Sequence, residues 1–98
     1  MLFRSAQLSH LPQVLSTLLA DQTSNGSDLA GPGWKSMTRL AASPFHVWRD
    51  IFETSGSLPA ELRAFSTRLN ELLAALETGN MEKIESVFER GNRSVGNS

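Results

Sequence analysis

Leu62, Phe65, Leu69, Leu72 and Leu76 recur at alternating spacings of three and four. That period lays an apolar seam along one face of an α-helix, as in a coiled coil, and cannot serve a β-strand, whose faces alternate every second residue. Leu73 broadens the face. Ser57, Pro59 and Glu61 open the segment with helix-start chemistry, and Thr78-Gly79-Asn80 closes it with the glycine that a left-handed C-cap favours.

The same period governs the rest of the chain. From Ala6 to Ala20, Leu8, Leu11, Leu15 and Leu18 form a stripe that Val14 and Leu19 widen, which predicts an amphipathic helix. Pro12 allows two starts for it: Ser9 as N-cap with the proline in the first turn, or a helix entering from upstream and kinked at Pro12. Residues 21–33, rich in Asn, Ser, Asp, Gly and Pro, read as a loop. A short helix follows over Trp34 to Ala42, with Met37, Leu40 and Ala41 on one face and Arg39 roughly opposite. Ser43 and Pro44 then supply an N-cap and a proline at the first helical position for a helix through Phe45, Trp48 and Phe52, stopped at Ser55-Gly56-Ser57. The last helix is expected over Met81 to Arg90, with Ile84, Val87 and Phe88 inward and the tail after Gly91 frayed. No stretch alternates as a strand would, so the fold class is all-α.

A chain of 98 residues, 40% hydrophobic and 19% charged, has room for one small core. Its apolar surplus would most naturally be covered by another chain or domain. The net charge of -1 comes from interspersed acids and bases with no basic stripe, which argues against nucleic acid as a partner. The lack of cysteine rules out disulfides and thiolate chemistry and fits the cytoplasm. The apolar run from Leu11 to Ala20 is too short and interrupted to span a bilayer, and no signal peptide follows Met1. The first five residues read as a non-native leader, since Leu-Phe-Arg-Ser is what a common sequencing-adapter string encodes. The domain then covers residues 6–91, with 92–98 as a disordered tail.

Taken alone, the residues say little about chemistry. Gly31-Pro32-Gly33 follows a loop and not a strand, so it is no phosphate-binding turn. His10 and His46 have no partner at metal-ligand spacing, and no metal is expected. His10 suits a capping or surface role. Arg39, beside Thr38 on a polar face, suits either solvent or a bidentate grip on a carboxylate. Trp48 within a Phe-rich stripe suits packing as well as a ligand wall.

The run Gly31-Pro32-Gly33-Trp34-Lys35-Ser36-Met37-Thr38-Arg39-Leu40-Ala41-Ala42-Ser43, the downstream Val47-Trp48-Arg49-Asp50-Ile51-Phe52 and the upstream Ser9-His10-Leu11-Pro12 closely resemble the prephenate dehydrogenase family. In that family a Thr-Arg-Ile/Leu-Ala-Ala-Ser stretch is followed, nine residues after its arginine, by the tryptophan of Trp-Arg-Asp-Ile. Arg39 and Trp48 keep the spacing, and the likeness runs from about Ala6 to about Arg90.

The resemblance implies oxidative decarboxylation of prephenate to 4-hydroxyphenylpyruvate with NAD+ or NADP+, in tyrosine biosynthesis; some relatives use arogenate. It implies an N-terminal Rossmann domain, absent from this chain, that carries the cofactor and the catalytic histidine. The present part would be a helical bundle resembling the 6-phosphogluconate-dehydrogenase-type C-terminal dimerisation domain, which completes the substrate pocket and forms a homodimer. No catalytic residue is then expected on this chain. Carried over by position, Arg39 matches the arginine that grips a substrate carboxylate, Ser9 and His10 match the motif bordering the pocket, and Trp48 matches a pocket wall or packing residue. Gln13 stands where the family often has a second histidine; it can hydrogen-bond but not carry a proton, which bears on substrate preference. Ser36 and Pro44-Phe45 also depart from the family's usual Asp and Asp-Pro. Two other readings stay open: the helical domain of an arogenate or other hydroxyacid dehydrogenase, and a stand-alone helical interaction module.

Overall fold

The computed structural model describes residues 9–23 and 31–96, and among these it is helical with no strand. Five α-helices and one 3-10 helix follow in order: α1 (Leu11–Gln22), α2 (Pro32–Thr38), a 3-10 helix (Arg39–Ala42), α3 (Phe45–Thr54), α4 (Leu58–Thr78) and α5 (Met81–Gly96). The chain divides into two compact units, residues 1–62 and 63–98, with the division inside α4. The all-α expectation holds. The proposed leader, Met1 to Ser5, and the stripe residue Leu8 lie outside the described residues.

In the first unit, helical geometry precedes α1. Ser9 and His10 form a π-type turn, and His10 has right-handed helical angles (φ -72°, ψ -43°) with no side-chain cap. Ser9 is therefore not an N-cap. Pro12 stands in the first turn of α1, where its missing N–H has no intrahelical acceptor to lose. The helix runs two residues past Ala20 and ends on Thr23, whose N–H and hydroxyl both reach the Leu19 carbonyl, at 3.1 and 2.6 Å.

The buried side of α1 departs from the leucine stripe. Its most buried side chains are the polar Gln13 and Ser16, each 3% exposed, whereas Leu18 is 54% exposed. A carboxamide can be buried at low cost only where its donors find acceptors, and Gln13 Nε2 donates to the Leu40 carbonyl at 2.9 Å and to Thr17 Oγ1 at 3.2 Å.

The following segment is also rolled relative to expectation. Met37 and Leu40 are exposed, and the side turned inward carries Trp34, Thr38 and Ala41, with Thr38 buried. A tertiary hydrogen bond explains the roll: Trp34 Nε1 donates to Thr23 Oγ1 at 2.6 Å, tying α2 to the end of α1. Thr38 tolerates burial because its hydroxyl donates to the Trp34 carbonyl at 2.8 Å. Arg39 to Ala42 then tighten into a 3-10 helix. Ser43 precedes Pro44 and is driven into extended backbone (ψ 132°), so the last turn closes early, with Ser43 N–H on Leu40 O at 3.1 Å. Ser43 thus ends one helix and does not cap the next, and Pro44 is itself the residue before α3.

Ser55 stops α3 with its N–H on the Ile51 carbonyl at 2.8 Å. Leu58, at the head of α4, is buried in this unit. Glu61 N–H on Ser57 O starts the helix, while the Ser57 hydroxyl has no partner among the described residues and caps nothing.

In the second unit, α4 ends as its sequence requires. Gly79 sits at φ +69°; Asn80 N–H bonds Ala75 O at 2.8 Å and Gly79 N–H bonds Leu76 O at 3.3 Å, the paired bonds of a Schellman motif. Asn80 Oδ1 then accepts the Lys83 N–H at 3.2 Å and caps α5. The helix does not stop at Arg90. It continues through Gly91 to Gly96, because Met81, Ile84, Phe88, Gly91 and Val95 keep one face at the three-four spacing and Arg93 complements the C-terminal dipole. Residues 92–96 are thus helical where a frayed tail was expected.

α4 and α5 do not pack along one another. Their seams stay open: Leu69 (55%), Leu76 (57%) and Phe88 (63%) are exposed. Among the described residues, Leu58 and Ala75 are the apolar side chains that are buried.

Candidate functional site

The sequence singled out Ser9, His10, Gln13, Arg39 and Trp48, all in the first unit. The structure brings His10, Gln13 and Trp48 together and leaves Ser9 and Arg39 apart from them.

His10 is half-buried. Its Nδ1 shares a hydrogen bond of 3.3 Å with Ser55 Oγ, and its ring meets Trp48 edge to face, centroids 5.9 Å apart at 87°. Trp48 stacks in turn on Phe52 (5.9 Å, 28°), and Phe52 faces Phe45 at 6.3 Å. The stripe Phe45, Trp48, Phe52 is the helical spacing of α3, which is why these rings stand in line. Arg49 lies over the outer Phe45 ring at 5.1 Å. Edge-to-face and offset contacts of this kind add about 0.5–1.5 kcal/mol each beyond burial.

That aromatic line is one wall of a cleft of about 220 Å³. Gln13, Val14, Thr17 and Leu18 of α1 form the opposite wall, and Ala41 and Ser43 close one side. The lining is mostly apolar with a few polar groups, the usual make-up of a small-molecule site. Gln13 and Trp48 therefore share one cleft, and His10 supports it from behind Trp48.

Arg39 does not line this cleft. It heads the 3-10 helix, exposed, with no hydrogen bond or ion pair to any described residue. The turn beneath it is held at two points on α1: the Leu40 carbonyl by Gln13, and the indole of Trp34 by Thr23. Ser9 is exposed and makes no bond with the rest of the group.

Sequence reasoning missed the cleft-lining roles of Val14, Thr17, Phe45 and Phe52 and the anchoring pair Thr23 and Trp34. Polar Gln13 interrupting a leucine stripe was the available signal, since a polar side chain inside an apolar face marks a place where something must be hydrogen-bonded.

Gly31 precedes a seven-residue helix that Pro32 and Gly33 open. No described helix is long and apolar enough to cross a membrane.

These features define a class: an all-helical domain with a half-open cleft in one unit and uncovered apolar helical faces in the other. The chain belongs to the family described as prephenate dehydrogenase, dimerization domain, whose model matches residues 4–90. No solved structure matches it.

Proposed function

We propose that this chain is the substrate-binding and dimerisation part of a prephenate dehydrogenase, acting with a nucleotide-binding domain to convert prephenate to 4-hydroxyphenylpyruvate with NAD+ or NADP+. The observation that carries the reading is the family match over nearly the whole chain, joined to an exposed Arg39, without a partner among the described residues, on an anchored turn. Prephenate is a dicarboxylate, and a planar guanidinium binds a carboxylate through two charge-assisted hydrogen bonds.

In this reading Arg39 holds a substrate carboxylate, Ser9 and His10 border the pocket, and Trp48 forms a wall. The chain's own contribution is to bind and orient an acid, which lowers the barrier by pre-positioning. The hydride acceptor and the catalytic groups belong to the companion domain. Dimerisation is assigned to a second copy of the chain, which would cover the apolar faces of α4 and α5.

The test is Arg39→Ala in the full-length enzyme. The KM for prephenate should rise by about 100-fold, the order expected when a charged hydrogen-bonding partner of a buried acid is removed, with the nicotinamide KM within about twofold of wild type. Unchanged prephenate kinetics would end the assignment. Assaying prephenate, arogenate and a simple hydroxyacid side by side identifies the substrate.

A further inference from the structure

The contacts of Gln13 point to a role other than touching substrate. Gln13 is 3% exposed, so it is built into the interior of the first unit. Its Nε2 donates to Leu40 O at 2.9 Å, and this same oxygen accepts the Ser43 N–H at 3.1 Å. The carbonyl that closes the 3-10 helix is thereby tied to α1 through one side chain. Leu40 directly follows Arg39, so the anchor lies one peptide from the guanidinium-bearing residue. The other anchor, Trp34 Nε1 on Thr23 Oγ1, lies five residues before Arg39. The segment between them is strung across α1, with Arg39 on its outer side.

We propose that Gln13 is a positioning residue that sets the placement of Arg39 by holding the Leu40 carbonyl with its amide N–H. The proposal rests on the reading of Arg39 as the carboxylate-binding group. It explains why a carboxamide occupies one of the two most buried positions of an otherwise leucine-rich helix. The amide gives α1 a directional hold on the turn, which an apolar contact would not. Arg39 has no partner of its own among the described residues, so the backbone beneath it is what aims it.

The variant that isolates the donor is Gln13→Met. Methionine has nearly the same shape but no N–H. It leaves Leu40 O with the Ser43 N–H, and it removes Gln13 Oε1, which has no partner among the described residues. No buried group is newly orphaned, so the fold should persist, as checked by circular dichroism. In the full-length enzyme the prephenate KM should rise by about tenfold, with kcat and the nicotinamide KM within about twofold, because a misaimed guanidinium weakens binding of the acid alone.

A double-mutant cycle separates positioning from a general structural effect. With Arg39 already Ala, Gln13→Met should change the prephenate KM by less than about twofold, since a residue acting through Arg39 has nothing left to act on. Gln13→His keeps an N–H donor at similar reach and should restore the KM to within about threefold of wild type. If Gln13→Met does not fold, Gln13→Asn takes its place in the cycle; it keeps the carboxamide and falls one methylene short of Leu40 O.

Full additivity in the cycle overturns the proposal, as does a Gln13→Met enzyme with an unchanged prephenate KM while Arg39→Ala raises it. A raised KM in Gln13→His equal to that of Gln13→Met also overturns it. If Arg39→Ala itself leaves the KM unchanged, it is the reading of Arg39 that has failed.

Discussion

His10 is held between two partners that neither its position nor its chemistry announces: a buried serine at the end of α3 and the edge of Trp48. Because the ring contact is independent of the hydrogen bond, the two can be separated. A cycle of His10→Ala and Trp48→Ala, read by urea denaturation, should give a coupling energy of about 0.5–1.5 kcal/mol, the usual worth of an aromatic pair beyond its area. A coupling near zero would mean the rings are neighbours without attraction. At this scale the sequence was legible where spacing alone lines side chains up, as with Phe45, Trp48 and Phe52 along α3. It was not legible for Gln13 and Ser16, which look like solvent-facing residues when α1 is read by its leucines. What holds Gln13 inside is the Leu40 carbonyl, a backbone group from a distant segment. No side-chain pattern within α1 encodes that acceptor.

Among the elements, the junction between α4 and α5 was the most legible, because its requirements are local. Gly79 adopts a backbone angle that other residues resist, and Asn80 both completes the α4 cap and caps α5. Gly79→Ala should therefore destabilise the chain by about 1–2 kcal/mol, the cost of a left-handed angle for a residue with a Cβ. Gly91 is the opposite case. It lies inside α5 without a positive angle, and an added Cβ would meet nothing within 4 Å. Gly91→Ala should stabilise by roughly 0.5–1 kcal/mol, since glycine in a helix interior loses more backbone entropy than alanine. Thermal melts of the two variants should move in opposite directions, and a fall in both would show that a partner's backbone occupies the space beside Gly91. The roll of α2 was illegible for a different reason. A pattern of Met37, Leu40 and Ala41 names a plausible apolar face, but the bond from Trp34 to Thr23 turns Thr38 inward instead. A single tertiary hydrogen bond outweighs a short helix's weak amphipathic preference.

For the molecule as a whole, the balance of apolar surface decides the matter of association. Phe65, Leu69, Leu73 and Leu76 on α4 and Met81, Phe88 and Val95 on α5 are all exposed in the single chain, an amount of apolar helical surface that stable monomers rarely leave to water. Truncating one of these side chains should hardly affect the folding of a lone chain, because exposed positions contribute within about 0.5 kcal/mol. Association is another matter. Leu69→Asp together with Phe88→Asp places unpaired carboxylates where apolar contacts are needed, which should weaken self-association by more than 100-fold, the factor that a single stranded charge costing about 3 kcal/mol already gives. Sedimentation velocity should then show a shift from dimer to monomer while the helical content of circular dichroism is kept. Arg68→Ala is the control, since the 4.0 Å pair it makes with Glu71 is solvent-exposed and should leave the mass unchanged. A wild-type chain that sediments as a folded monomer would show that these faces are covered by something other than a second copy.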